Sequence, residues 1–296
     1  MLTLVTGTTG QVGRRFVPRL IAQSRPGMGV PPLERSREWG RVRVLVRDAT
    51  RAEPFADLGA EVVVGDLRDT EALAKAVAGV DAVVNVAAAF RGVPDEEARA
   101  VNRDAAVELG RAAVASGVRR FVQVSTGLVY GSGRGRPLTE DDESLPGGAM
   151  WGAYPESKAE AERALLALEG LDVRVGRLPF VYGEGDPHLA QSLMWAKSWA
   201  SAQRLHMGHH ADVAQGLLRI LHAPGISGRV YNIADDAPVT AVELHQLNGV
   251  EVPGELYERV DPDPWLAIMS TERIRRELGY RAVYPSVYAA REAGAL

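Results

Sequence analysis

The chain predicts a doubly wound α/β fold, a parallel sheet covered by helices on both faces, with a smaller C-terminal lobe. Three observations predict it. Short valine-rich runs alternate with helical stretches through residues 1–176. Those runs are apolar on both faces, as parallel strands buried between helices must be. After residue 176 the alternation weakens, so the second half adds a lobe of its own.

Taken in order, "LTLVTG" is the first strand, and "QVGRRFVPRLIAQ" the helix behind it, with Pro18 placed to kink or interrupt it. "RVRVLVR", "EVVVGD", "DAVVNVAAA" and "RRFVQVSTG" are strands two to five. "DTEALAKAVAG" and "RDAAVELGRAAVASG" are helices between them. "WGAYPESKAEAERALLALEG" opens with turn residues and becomes helical, Pro155 fitting only a first turn. Its glutamates Glu156, Glu160 and Glu162 read as a solvated face. "LDVRVGRLP" is the sixth strand. Beyond it, "HLAQSLMWAKSWASAQRLHM" reads as one helix, "ADVAQGLLRILHAPG" as another, "RVYNIAD" as a strand and "STERIRRELGY" as a late helix. "SRPGMGVPPLERSREWG" and "GSGRGRPLTEDDESLPGGAM" are exposed loops. The glycines of the second (Gly131, Gly133, Gly135) make no phosphate cradle, because no helix opens behind them.

The composition is that of a globular protein: 296 residues, 46% hydrophobic, 24% charged, net charge −4. It gives no basic surface for nucleic acid or anionic lipid. With no cysteine, disulfides, thiolate metal sites and a cysteine nucleophile are excluded. No apolar run reaches the length of a membrane span, and "MLTLVTGTTGQVG" reads as a strand and turn rather than a signal peptide. The expectation is a cytoplasmic protein with a small-molecule substrate and no nucleic-acid or membrane partner.

The first strand runs into Gly7-Thr8-Thr9-Gly10-Gln11-Val12-Gly13. Glycines there allow close approach of the backbone to a ligand. The following helix offers its free N–H groups and positive dipole end to a pyrophosphate. Between strand one and helix one of a βαβ series, this spacing points to a dinucleotide. Residues 1–176, with 211–234 returning, would form the dinucleotide-binding domain, and 177–210 with 235–296 the substrate lobe. At the end of strand two, Arg47 is placed to pair with an adenosine 2′-phosphate, favouring NADP(H). Alternatively Asp48 reads the ribose hydroxyls, which leaves NAD(H) possible.

These motifs, in this order, resemble the extended short-chain dehydrogenase/reductase family, the NAD-dependent epimerase/dehydratase-like proteins with a Rossmann domain. The resemblance rests on "TGTTGQVG", "GDLRD", "NVAAA", "VSTGLVYG", "YPESK", "RLPFVYGEGD", "RVYNIADDAPVT" and "RIRRELGY", and covers nearly the whole chain. It implies that Asp66 and Leu67 lie against the adenine and that Ala87 and Ala88 let the cofactor approach the chain. It implies a cofactor contact at Pro179, a recurrent asparagine at Asn102, and Tyr154 and Lys158 as the family's tyrosine–lysine pair. It makes Thr126 the catalytic hydroxyl, with Ser125 the alternative. It also implies a possible homodimer. Sugar dehydratase relatives carry Asp-Glu directly after that threonine; here Gly127 and Leu128 stand there.

The residues support this chemistry on their own. Positions i and i+4 share a helix face, so Tyr154 and Lys158 point the same way. A nearby ammonium favours tyrosinate and makes a tyrosine usable as acid/base near neutrality. Three readings follow. One is an oxidoreductase reducing a small or flat apolar ketone. Another is a nucleotide-sugar 4-epimerase recycling tightly held NAD. The third is a non-catalytic NADP-binding sensor. Adjacent His209 and His210 point apart, and no metal site is expected. Arg177 is open between a substrate phosphate and a structural pairing, and Trp195 with Trp199 between core packing and an apolar pocket.

Overall fold

The computed structural model describes residues 1–23, 40–145, 152–261 and 263–296. Most of the first expected loop insertion and the end of the second lie outside the described residues. In chain order the elements are β1 (Leu2–Thr6), α1 (Gly13–Gln23), β2 (Arg41–Val46), α2 (Glu53–Ala56), β3 (Glu61–Val64), α3 (Thr70–Val77), β4 (Ala82–Asn85), α4 (Asp95–Arg99), α5 (Ala105–Ala115), β5 (Arg120–Thr126), α6 (Ala153–Leu166) and β6 (Asp172–Leu178). There follow β7 (Phe180–Tyr182), α7 (His188–Gln191), α8 (Leu193–Ala196), β8 (Arg204–Leu205), β9 (Met207–His209), α9 (His210–His222), β10 (Val230–Asn232), β11 (Val239–Thr240), α10 (Ala241–Leu247), α11 (Glu272–Leu278) and α12 (Val287–Glu292).

Seven strands form a parallel sheet in the order β10-β6-β5-β4-β1-β2-β3. Strand order reverses at β1, which pairs with both β2 and β4. The C-terminal ends of β1 and β4 therefore flank the switch point, where open α/β sheets leave a crevice. Every residue of β1 and β4 is buried, which explains why they are mostly apolar. The edge strand β3 leaves Val62 and Val64 exposed instead.

The chain divides into two compact units. The first comprises residues 1–125, 152–176 and 217–230, the second 126–151, 177–216 and 231–296. These limits differ from the sequence-based division at residues 126–151, 211–216 and 231–234, all of which lie in the second unit. Residues 217–230 stay with the first unit because buried Arg174 donates to the carbonyls of Ile220 (2.6 Å) and Ala223 (2.7 Å) at the end of α9. Residues 126–151 go with the second. There the Tyr130 hydroxyl donates to Asn232 at 2.8 Å, and the backbone of Leu138 pairs with Ile268 and Ser270.

In the first unit the core is built from α3, α5, α6 and the strands under them, with Leu4, Leu73, Leu109, Phe121 and Leu165 at its centre. Pro18 does not end α1, which continues to Gln23. Burial of Phe16, Val17, Leu20 and Ile21 along one face outweighs the missing N–H bond. The glutamates of α6 are not a solvated face. Glu156 and Glu160 pair with Arg99 and Arg103, each at 3.0 Å, and Glu162 is buried below Lys158.

In the second unit β7 pairs with β9 and β8 with β11, over a core of Tyr182, Met207, Leu244, Leu256 and Val287. The long helix expected over 188–207 is broken into α7 and α8 and then turns extended. Buried Ser192 sits at the break and donates its hydroxyl to Leu189 O at 2.6 Å, a side-chain bond that competes with helix continuation. Trp199 packs against the core, and Trp195 stands edge-on to Phe180 at 6.1 Å.

Candidate active site

The turn after β1 is packed backbone to backbone. Gly7 has φ +65°, and a Cβ there would lie 2.4 Å from Ala87 N. A Cβ on Gly13 would lie 2.3 Å from Gly7 O. No other residue type fits either position without moving the chain. Gly10, Gln11 and Val12 lead into the first turn of α1, which carries no acidic side chain to compete for its N–H groups. Gln11 accepts a hydrogen bond from Arg15 at 2.8 Å, and Thr9 O one from Arg51 at 3.4 Å.

Arg47 and Asp48 are both exposed at the end of β2. The Asp48 carboxylate caps the next turn, accepting from Thr50 N at 2.9 Å and Thr50 Oγ1 at 2.8 Å, and these bonds lower its pKa. Arg47 lies in the field of Asp66. Asp66 is gripped by Arg68, whose Nε and Nη2 each donate at 3.0 Å. Leu67 packs partly into the first core.

Beyond β4, Ala87 is half-buried and Ala88 exposed. Asn102 clamps the next residue, accepting from Ala89 N and donating to Ala89 O, both at 2.9 Å. It projects from a π-helical turn, Ala100–Asp104, between α4 and α5.

Lys158 is 2% exposed. Its Nζ donates to Ala87 O and Val124 O, both at 3.1 Å. Two of its three donors are thereby used, and one is left for a ligand. Burial pulls its pKa down to about 8, opposed by the charge of Glu162 one turn on. Tyr154 stands one turn earlier on α6, half-buried, its ring 4.3 Å from that of Phe90.

Ser125 is buried near the end of β5, and its Oγ has no hydrogen-bond partner. The same holds for Thr8 Oγ1 in the glycine turn. Thr126, the next residue of β5, accepts at Oγ1 from Leu128 N at 3.2 Å and keeps its own proton to donate. Directly after it, a Cβ on Gly127 would meet Met269 Sδ at 2.5 Å. Pro179 follows β6, its ring 2.8 Å from where a Cβ on Gly208 would be. Arg177 lies over the Tyr130 ring, 4.6 Å from its centroid, and hydrogen-bonds the Tyr130 hydroxyl. His209 Nε2 bonds Ala295 O at 2.8 Å, and His210 Nε2 bonds Asp186 at 2.6 Å.

The fold thus brings together Gly7, Gly13, Ala87 and Lys158. Sequence reasoning missed Phe90 and a buried polar ladder. Thr6 Oγ1 donates to Asn85 Oδ1 (2.5 Å), Asn85 Nδ2 to Gln123 Oε1 (2.8 Å), and Gln123 Nε2 to Val124 O (2.9 Å). Val124 O also holds Lys158. The signal was present as the polar residues Thr6, Asn85 and Gln123 within the largely buried strands β1, β4 and β5.

These features fit a dinucleotide: a cradle closed to side chains, two buried hydroxyls without partners, and a buried ammonium with a donor to spare. A model of the NAD-dependent epimerase/dehydratase family matches residues 3–234. Over 250 residues, 81% of this chain and 70% of the relative, the chain is 31% identical to the 4-hydroxy-2-methyl-3-oxo-4-farnesyl-3,4-dihydroquinoline-1-oxide ketoreductase of Stigmatella aurantiaca. It is 31% identical to a UDP-glucose 4-epimerase of Vibrio cholerae over 202 residues, 64% of this chain and 55% of the relative. A short-chain dehydrogenase/reductase superfamily protein of Agrobacterium tumefaciens with bound NAD superposes with a TM-score of 0.76 at 25% identity, covering 99% of this chain and 96% of that one. The dTDP-glucose 4,6-dehydratase DesIV of Streptomyces venezuelae, with NAD bound, gives 0.73 at 27% identity, over 99% and 97%. By its strand order, its glycine turn and the extent of these matches, the chain is an enzyme of the NAD-dependent epimerase/dehydratase family, within the extended short-chain dehydrogenases/reductases.

Proposed function

We propose that this enzyme is an NADP(H)-preferring ketoreductase that moves hydride between nicotinamide and a small or flat apolar ketone. The observation that carries this is the residue pair after Thr126. The dehydratase relatives' acids are replaced by Gly127 and Leu128, and Met269 fills the space a side chain at 127 would need. Elimination of water has no acid/base pair here. What remains is a set for proton transfer to a carbonyl oxygen.

Gly7, Thr9, Gly10, Gln11, Val12 and Gly13 would hold the pyrophosphate, Arg47 the 2′-phosphate, and Asp66, Leu67, Ala87, Ala88 and Pro179 the remaining cofactor surface. When bound, the nicotinamide supplies the hydride or takes it back. Tyr154 gives its hydroxyl proton to the carbonyl oxygen as negative charge develops there. Lys158, held by two carbonyls, favours the tyrosinate that results. Thr126, or Ser125 beside it, donates a hydrogen bond to the same oxygen. Commitment of Asp48 to Thr50 supports Arg47 as the group that reads the ribose.

The likeness to the Stigmatella ketoreductase favours this reading. The Vibrio epimerase makes nucleotide-sugar 4-epimerisation the second reading. The test measures NADPH and NADH oxidation with planar and open-chain ketones, and cofactor release on denaturing the purified protein. Ketone-dependent NADPH oxidation with no retained cofactor is expected. Interconversion of UDP-sugars by protein that retains NAD overturns the reading, and tighter NAD than NADP binding overturns the cofactor preference. A Tyr154→Phe variant that keeps its cellular role with cofactor bound would mark a sensor instead.

A further inference from the structure

We propose that Phe90 sets substrate specificity: its exposed ring is a prebuilt aromatic contact, beside Tyr154, for the planar part of a carbonyl substrate. The inference rests on the ketoreductase reading and names the substrate class it would take.

The Phe90 ring lies 4.3 Å from the Tyr154 ring with the planes tilted by 39°. A carbonyl at the Tyr154 hydroxyl would lie near this ring. Phe90 is nevertheless 41% exposed, so a large part of its surface is open to a ligand.

The loop that carries Phe90 is held rather than loose. On one side Asn102 fixes both backbone polar groups of Ala89. On the other, Arg91 adopts φ +55° and Gly92 φ +67°. Arginine in the left-handed region is a strained conformation that its surroundings must impose. The same turn sets the Arg91 guanidinium over the Phe90 ring, 4.6 Å from its centroid. A cation in that position restrains the ring. A fixed, exposed aromatic ring favours aromatic partners, which can meet its open edge with little loss of internal freedom. A flexible alkyl chain has no π-face to offer and loses rotamer freedom on ordering.

The test uses two ketones of equal carbon count, acetylnaphthalene and dodecanone. Each is titrated by calorimetry into protein loaded with oxidised cofactor. Wild type is expected to bind acetylnaphthalene more tightly. Phe90→Ala should weaken acetylnaphthalene by about tenfold and dodecanone by less than about threefold. Phe90→Trp, which restores an aromatic ring, should keep the wild-type preference. A wild type that binds the two ketones equally, or a Phe90→Ala variant that weakens both alike, overturns the inference. If wild type binds acetylnaphthalene but oxidises neither NADPH nor NADH with it, the ketoreductase reading fails while the binding measurement stands. Circular dichroism melts check folding, and the Trp variant carries the test should the Ala variant melt early.

Discussion

The two units bury charge in opposite ways. In the first, Lys158 is enclosed with two carbonyl partners, next to a ladder in which Thr6, Asn85 and Gln123 satisfy one another. In the second, Asp235 is 2% exposed, and neither of its carboxyl oxygens makes a hydrogen bond of ordinary geometry; the Ala237 amide favours its charged form but does not offset burial. Burial, with Asp236 and Asp212 nearby, pushes Asp235 up to about 9. Its neighbour His206, 4.0 Å away, gives no ion pair. His206 Nδ1 accepts from Met269 N at 3.0 Å, so its proton sits on Nε2, and burial holds its pKa down near 4. A buried cation with partners can serve a ligand. A buried acid whose partners do not offset burial stays protonated.

The difference gives the units opposite responses to pH. Lys158 has a folded pKa of about 8, below its unfolded value. Between about 8 and 10 the unfolded chain binds more protons, so this group's contribution to stability rises with pH. Asp235 has a folded pKa of about 9, above its unfolded value. Its contribution is fully present below about pH 4 and is lost as pH rises through 9.

Four substitutions break or sharpen this contrast, in descending order of effect. Lys158→Met should lower kcat/KM by about 10³ and abolish the stability gain above pH 8. Steady-state kinetics and melts across that range check both. Gly7→Ala should cost about 3 kcal/mol or more in urea denaturation and weaken cofactor binding, because its Cβ meets the Ala87 backbone. Asp235→Asn should raise stability at pH 8 by about 2 kcal/mol and flatten the alkaline decline. A melting profile with wild-type slope would show that Asp235 does not carry the decline. Gln123→Leu should cost about 1–2 kcal/mol by orphaning Asn85 Nδ2, with a smaller loss of activity through Val124 O and Lys158.

Legibility followed the range of the interactions. The glycine turn, the strand runs and the i, i+4 spacing of Tyr154 and Lys158 are local, and short windows carry them. The break at Ser192 and the burial of Glu162 escaped the sequence pattern. At Ser192 a single side-chain bond competes with the helix; Glu162 is covered by packing that its own segment does not encode. The Phe90–Tyr154 contact joins residues 64 positions apart, and nothing near Phe90 announces it.

By itself the sequence determined the order of strands and helices, the cradle for a dinucleotide, and the absence of the dehydratase acids. The first two follow from hydrophobic period and from the steric demands of glycine, which act over a few residues; the third follows from the family resemblance, read at Gly127 and Leu128. Only the tertiary structure decided that Met269 closes the space at Gly127, that Arg177 lies over Tyr130, and that Phe90 flanks Tyr154. Those outcomes depend on which distant surfaces the packing of each unit brings within a few ångströms.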